Sequence, residues 1–221
     1  MKKLLLLLLL SCFVSISFAQ SVHLGIRAGL NESALSGYDF VDNGTSVKGN
    51  ASYISRFHAG LFAEIPAGRF SIEPGVFYTQ KGGETKLQTM TVISARQYYE
   101  KTTLNYLEIP VNVLYNIPVG VGKIFVGGGP YAAFGLSGHY RSTYFTSSVQ
   151  NTQSGEAQGE IKFDKNGYRN PDYGINTLLG LRLKNNISFN VGYGFGLTNL
   201  YRSGTSAKNK VLSISVGYEF L

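Results

Sequence analysis

Arg27 and Arg182 share a pattern with Glu64, Glu73, Glu108 and Glu219, and with His23 and His58: each is flanked on both sides by non-polar residues. A charge between two apolar neighbours, in a segment of period two, points away from the face those neighbours occupy. If the six Arg and Glu residues face one narrow interior, they must pair or stay wet, so an Arg–carboxylate network is the natural arrangement. Two arginines facing four glutamates leave the pairing incomplete. Two readings follow: a polar plug that excludes a pore, and a gated proton or ion path, a narrow channel.

Catalysis makes further demands. Paired carboxylates act on a glycosidic bond only across a substrate-sized cleft, and a packed interior offers none. A serine nucleophile needs His and an acid within hydrogen-bond reach. His23 opens the first apolar-alternating segment and His58 the second, at opposite ends, so they should stand ~25–30 Å apart at ~3.3 Å per residue. They cannot share a site or a metal. His139, beside Ser137 and Ser142, could serve a lipid-modifying enzyme of the outer membrane. Gly127-Gly128-Gly129 lacks the helix and Lys-Ser/Thr pair of a phosphate loop. The expectation is no catalytic residue, no cofactor and no metal site.

The elements that carry these residues are strands. In the final segment Leu212, Ile214, Val216, Tyr218 and Phe220 oppose Ser213, Ser215, Gly217 and Glu219. The same alternation recurs around residues 22–31, 57–65, 70–79, 107–116, 124–136, 173–183 and 187–198. Glycines such as Gly25, Gly29, Gly192, Gly194 and Gly196 share the polar phase with Arg27, Phe62, Phe77, Tyr131 and Arg182, so bulk and gaps are complementary on one side. Pro74, Pro110 and Pro130 cannot donate within a ladder and are expected at bulges or near a rim.

The connections alternate strictly. Pro66 to Arg69, Pro118 to Lys123 and Lys184 to Asn186 are short; Glu32 to Arg56, Lys81 to Lys101, His139 to Asp172 and Tyr201 to Lys210 are long. Short periplasmic turns and long extracellular loops are the habit of outer-membrane barrels. The fold expected is all-β: an eight-stranded antiparallel transmembrane β-barrel with short periplasmic turns and long extracellular loops. A lipocalin-like binder would need the opposite phase, apolar inside. Outward aromatics should form two belts: Phe57, Tyr78, Phe134 and Tyr173 at the extracellular rim, and Phe70, Tyr115, Phe189, Tyr218 and Phe220 at the periplasmic one.

Lys2 and Lys3, the apolar run from Leu4 and the small residues of Ser17-Phe18-Ala19 read as a signal peptide over 1–19, leaving 20–221 as the barrel domain. The only cysteine, Cys12, lies within that signal, so the mature chain has no disulfide and no thiol chemistry. The formal net charge is +7, without a basic run, which fits solvated loops rather than nucleic-acid binding.

Glu73-Pro74-Gly75, Tyr78-Thr-Gln-Lys-Gly82, Tyr106-Leu-Glu108-Ile-Pro110, Gly127-Gly-Gly-Pro130-Tyr131, Gly25-Ile-Arg-Ala-Gly29, Gly194-Phe-Gly-Leu-Thr-Asn199 and the closing strand resemble the PorT-like outer-membrane β-barrel family of Bacteroidetes, small barrels of the porin-family, OmpA-OmpX type. The resemblance spans nearly the whole mature chain and implies fold and location. The function expected is non-enzymatic: an anchor, adhesion or envelope-assembly component, with a role in secretion included, acting through extracellular loops. Tyr140, Tyr144, Phe145, Tyr168 and Arg169 in the loop after His139 are the candidate recognition residues, because Tyr and Arg among small polar residues suit an interface, and they equally suit a hairpin that merely extends the barrel. Asp164-Lys-Asn-Gly167 should form its tip. The partners expected are outer-membrane lipid, the outer-membrane assembly machinery and an envelope or extracellular protein, with no nucleic acid, and the chain should be a monomer.

Overall fold

A computed structural model describes residues 22–42, 45–48, 50–90, 94–149, 151–164, 167–202 and 206–220. The proposed signal with Cys12, and the middle of the Asp164–Gly167 tip, lie outside the described residues. The described residues form eleven strands: β1 (His23–Asp42), β2 (Thr45–Lys48), β3 (Asn50–Ser52), β4 (Ile54–Ala67), β5 (Phe70–Met90), β6 (Ser94–Val119), β7 (Gly122–Ser148), β8 (Thr152–Ile161), β9 (Asp172–Leu183), β10 (Ile187–Gly196) and β11 (Ser206–Glu219). Eight of them form a ring in the order β1, β4, β5, β6, β7, β9, β10, β11, which the antiparallel pairing of β11 with β1 closes. The short strands add outside it: β2 on β1, β3 on β5 and β8 on β7.

The phase of the alternation decides which solvent the barrel is built for. Ile214 is 63% exposed and Leu61 60%, whereas Arg27, Glu64 and Glu73 are buried. Apolar residues face out and charges face in, the inverse of a lipocalin-like barrel and the arrangement a bilayer requires. Phe57 packs on Tyr78 at a ring separation of 5.7 Å near one end, and Phe70 on Tyr115 at 5.2 Å near the other. The short connections lie at the Phe70 end. Gly68 and Asn186 take positive φ there (66° and 67°), as tight turns demand.

One expectation needs correction. The prolines sit neither at bulges nor at a rim. The β5–β6 register is the same at Pro74↔Val111 and at Phe77↔Glu108, and the β6–β7 register is the same at Pro110↔Tyr131 and at Val113↔Gly128. A missing donor costs a short stretch of ladder here, and the register holds. The one bulge in β6–β7 lies instead at Asn105/Tyr106. The long connections are themselves largely strand, as the hairpin reading of the segment after His139 expected. β5 and β6 stay paired as far as Met90↔Ala95, and β7 pairs with β8 from Gly138↔Ile161 to Ser147↔Thr152. The apolar outward phase stops where lipid stops, but Thr and Tyr favour a pleated surface in water too, so these strands continue as a sheet raised above the barrel.

Candidate functional site

The interior is stacked in layers. Near the short-turn end, Arg182 lies between Glu64 and Glu219: its Nη1 donates to Glu64, and its Nη2 is 2.6 Å from Glu219 Oε1. Lys123 Nζ donates to Glu64 Oε1 at 3.0 Å. Glu64 has no exposure, so these cations are what allows it to stay charged. Phe125 packs beneath the Arg182 guanidinium, and Gly180 leaves the space for its ring.

In the middle, Arg27 makes a bidentate pair with Glu73 (2.9 and 2.7 Å) and stacks 4.4 Å over the Phe62 ring. Gly25 makes that ring possible, since a Cβ there would come within 2.5 Å of it. His58 bridges Asn31 Oδ1 (2.7 Å) and Ser215 Oγ (2.9 Å). Asn31 spends its amide N–H on the Gln80 carbonyl, so its Oδ1 accepts from His58 Nδ1–H, and Nε2 accepts from Ser215.

Toward the long-loop end, the buried Lys81 meets Glu108 at 2.7 Å and Asp172 at 3.6 Å, with the Tyr131 ring 4.1 Å away. Asn209 donates to Asp172 at 2.9 Å. Above this layer Leu35, Leu104, Tyr106, Tyr131, Ile161 and Leu200 form an apolar cap, extended by Phe163, Tyr168 and Tyr201.

Lys81, Lys123 and Asp172 escaped the sequence reading, which treated all three as parts of connections. Two lysines thus join the two arginines and a fifth acid joins the four, and each of the five acids has a cation within 4 Å. The signal was present: Lys81 continues the inward phase of Phe77 and Thr79, Lys123 that of Phe125, and Asp172 that of Gly174.

Between the middle and upper layers lies a cavity of about 80 Å³ bordered by Arg27, His58, Lys81, Asn112 and Asn190. Asn112 Oδ1 and Asn190 Nδ2 find no hydrogen-bond partner among the described residues. The space is polar and roomy enough for ordered water. Around His139, Ser142 is buried on the opposite face of β7, and Ser137 Oγ accepts a hydrogen bond from Asn105. No group of three or more metal-binding His, Cys, Asp or Glu occurs among the described residues.

The five recognition candidates do not share a surface. Tyr140 and Tyr144 lie on one face of the raised sheet, and Phe145 on the other. Tyr168 turns back to the cap, where its hydroxyl donates to that of Tyr201 at 2.9 Å. Arg169 is held there by its backbone N–H on the Leu200 carbonyl at 2.8 Å. Beyond the membrane, Tyr99 hydrogen-bonds Glu84, which raises its phenol pKa above the ordinary value.

A closed eight-strand ring with charges inside and apolar residues outside is now joined by a sequence match. The family model described as "Outer membrane protein beta-barrel domain" covers residues 18–202. The chain belongs to this family. As an outer-membrane β-barrel it is similar in fold to the solved structure of Ail, the attachment invasion locus protein of Yersinia pestis, at 14% identity over 90% of this chain and 98% of that one (TM-score 0.36). It is also similar to Neisserial surface protein A, at 13% over 90% and 99% (TM-score 0.38), and to OprG from Pseudomonas aeruginosa, at 14% over 91% and 97% (TM-score 0.35). Likeness this distant assigns no role to any residue of the outer-membrane barrel described here. No curated protein matches its sequence.

Proposed function

We propose that this barrel is a sealed, non-enzymatic anchor that works through the sheet raised above it, as an adhesion or envelope-assembly component of the PorT-like kind, delivered by a cleaved N-terminal signal. The observation that carries this reading is the contrast between an interior filled by paired charges and a sheet on which Tyr144 and Phe145 stand exposed on opposite faces. A lumen closed in this way leaves the external surface as the working part.

Photo-crosslinking amino acids at Tyr99 and Phe145, in intact cells, should each trap the same discrete envelope or extracellular protein. The same group at Gly120, in a short turn at the other end, should not. Identical adducts from all three positions would overturn the reading. A narrow gated path is a second reading, favoured by the polar cavity beside His58. It requires a steady single-channel conductance in planar bilayers that Lys81→Met changes; a silent bilayer excludes it.

A further inference from the structure

The outermost strand of the raised sheet is β8, Thr-Gln-Ser-Gly-Glu-Ala-Gln-Gly-Glu-Ile over 152–161. Among the described residues it pairs with β7 alone, so every second N–H and C=O along its far side has no strand partner. At ~3.4 Å per residue that edge is roughly 34 Å long. Natural sheets blunt such an edge with charged side chains, lysine above all, with proline or with a bulge. β8 contains no lysine and no proline, its register on β7 is unbroken from Gly138↔Ile161 to Ser147↔Thr152, and its only charges are Glu156 and Glu160, both of one sign, so a cationic strand would be drawn to the edge that an anionic one is kept from.

The two faces of β8 differ in a way that selects what can be added. On the face that turns inward lower down are Gly155, Ala157 and Gly159, opposite Tyr144, Ser142 and Tyr140. The tyrosine rings lie across the glycines. A Cβ at Gly155 would stand 2.6 Å from the Tyr144 hydroxyl, and one at Gly159 2.9 Å from the Tyr140 ring. Two phenol rings thus reach from β7 over β8, with their outer edges above its glycines, and form a shelf beside the position a next strand would take.

The other face carries Glu156, Gln158 and Glu160. Arg141 reaches Glu156 at 2.8 Å, but both side chains are more than 60% exposed, which leaves the pair weak. A second copy of this chain is a poor occupant: in edge-to-edge pairing the equivalent faces coincide, setting Glu156 and Glu160 opposite or diagonal to the same residues of the other strand.

We propose that β8 is a docking edge for an extended segment of another protein in which Lys or Arg alternates with apolar residues. The backbone ladder supplies affinity, the cations meet Glu156 and Glu160, and the apolar residues rest on Tyr140 and Tyr144. The proposal rests on the raised sheet being the working surface, and it names how that surface binds.

The test uses the full mature chain in detergent micelles and three fluorescent ten-residue peptides. One alternates Lys and Val, one alternates Glu and Val, and one is the Lys-Val peptide with alternate amides N-methylated, each corrected for binding to empty micelles. Anisotropy should show the Lys-Val peptide binding at least tenfold tighter than Glu-Val, with binding lost on N-methylation. The double variant Glu156→Lys, Glu160→Lys should reverse the preference; both positions are exposed, and the barrel's heat-modifiable migration checks its fold. No binding, binding indifferent to N-methylation, or an unchanged preference in the double variant overturns the proposal, as does reversible dimerisation of the chain alone through β8. If crosslinks from Phe145 persist while the peptides fail, the raised sheet still works as a surface and only the edge mechanism falls.

Discussion

The barrel interior and the raised sheet are made by the same hairpins, yet they treat charge in opposite ways. Inside, Arg27 and Glu73 are both almost fully buried and meet in a bidentate pair. On the sheet, Arg141 and Glu156 approach as closely, at 2.8 Å, with exposures of 66% and 62%. Similar distances carry different energies, because a buried charge that loses its partner cannot recover water while an exposed one can. The comparison teaches that distance alone does not rank the ion pairs of this molecule; solvent does.

The largest effect should come from Arg182→Met. Among the described residues it leaves Glu219 with no cation within ion-pair distance and Glu64 with Lys123 only, and should destabilise the barrel by about 3–5 kcal/mol. Urea titration of refolding into lipid measures it, and a change within error would remove the layered interior from the account of stability. Next comes the outer wall. Arg placed at Val216 should cost about 2–4 kcal/mol if that residue lies near the bilayer midplane. The same substitution at Gly120, where an added Cβ meets nothing, should be silent. Equal tolerance at the two positions would refute the lipid face.

A Cβ at Gly29 would press within 2.7 Å of both the His58 ring and Ser215 Oγ, and nearer still to the Ile214 carbonyl. Gly29→Ala should therefore cost about 1–3 kcal/mol by overpacking, read in the same titration. The smallest effect belongs to the sheet: Arg141→Ala should leave the unfolding midpoint unchanged at any salt concentration. A clear salt-dependent loss there would erase the distinction between the two regions.

Much of the fold was legible in residue order because the lipid face imposes a strict period of two. Ile26, Leu61, Val76, Leu179 and Val216 mark that face wherever they stand, and the short turns between them set strand number and direction. The inward set Arg27, Glu64, Glu73, Glu108, Arg182 and Glu219 follows from the same phase, read locally. Lys81, Lys123 and Asp172 carry that phase too, but they lie past the ends of the apolar stripe, where the signal of lipid contact fades before the strand does.

The chain order by itself determined the alternation, the face each residue takes and the alternation of short and long connections, since all of these are properties of neighbours. Only the closed ring decided which charges meet. Arg182 reaches Glu64 across 118 positions of sequence and Arg27 reaches Glu73 across 46. Which cation lands beside which acid depends on the register of strands that are not adjacent in the ring, and on glycines that let a ring or guanidinium lie across the lumen. The same holds for the free edge of β8: a strand becomes an edge only when the fold leaves one side of its backbone without a neighbour.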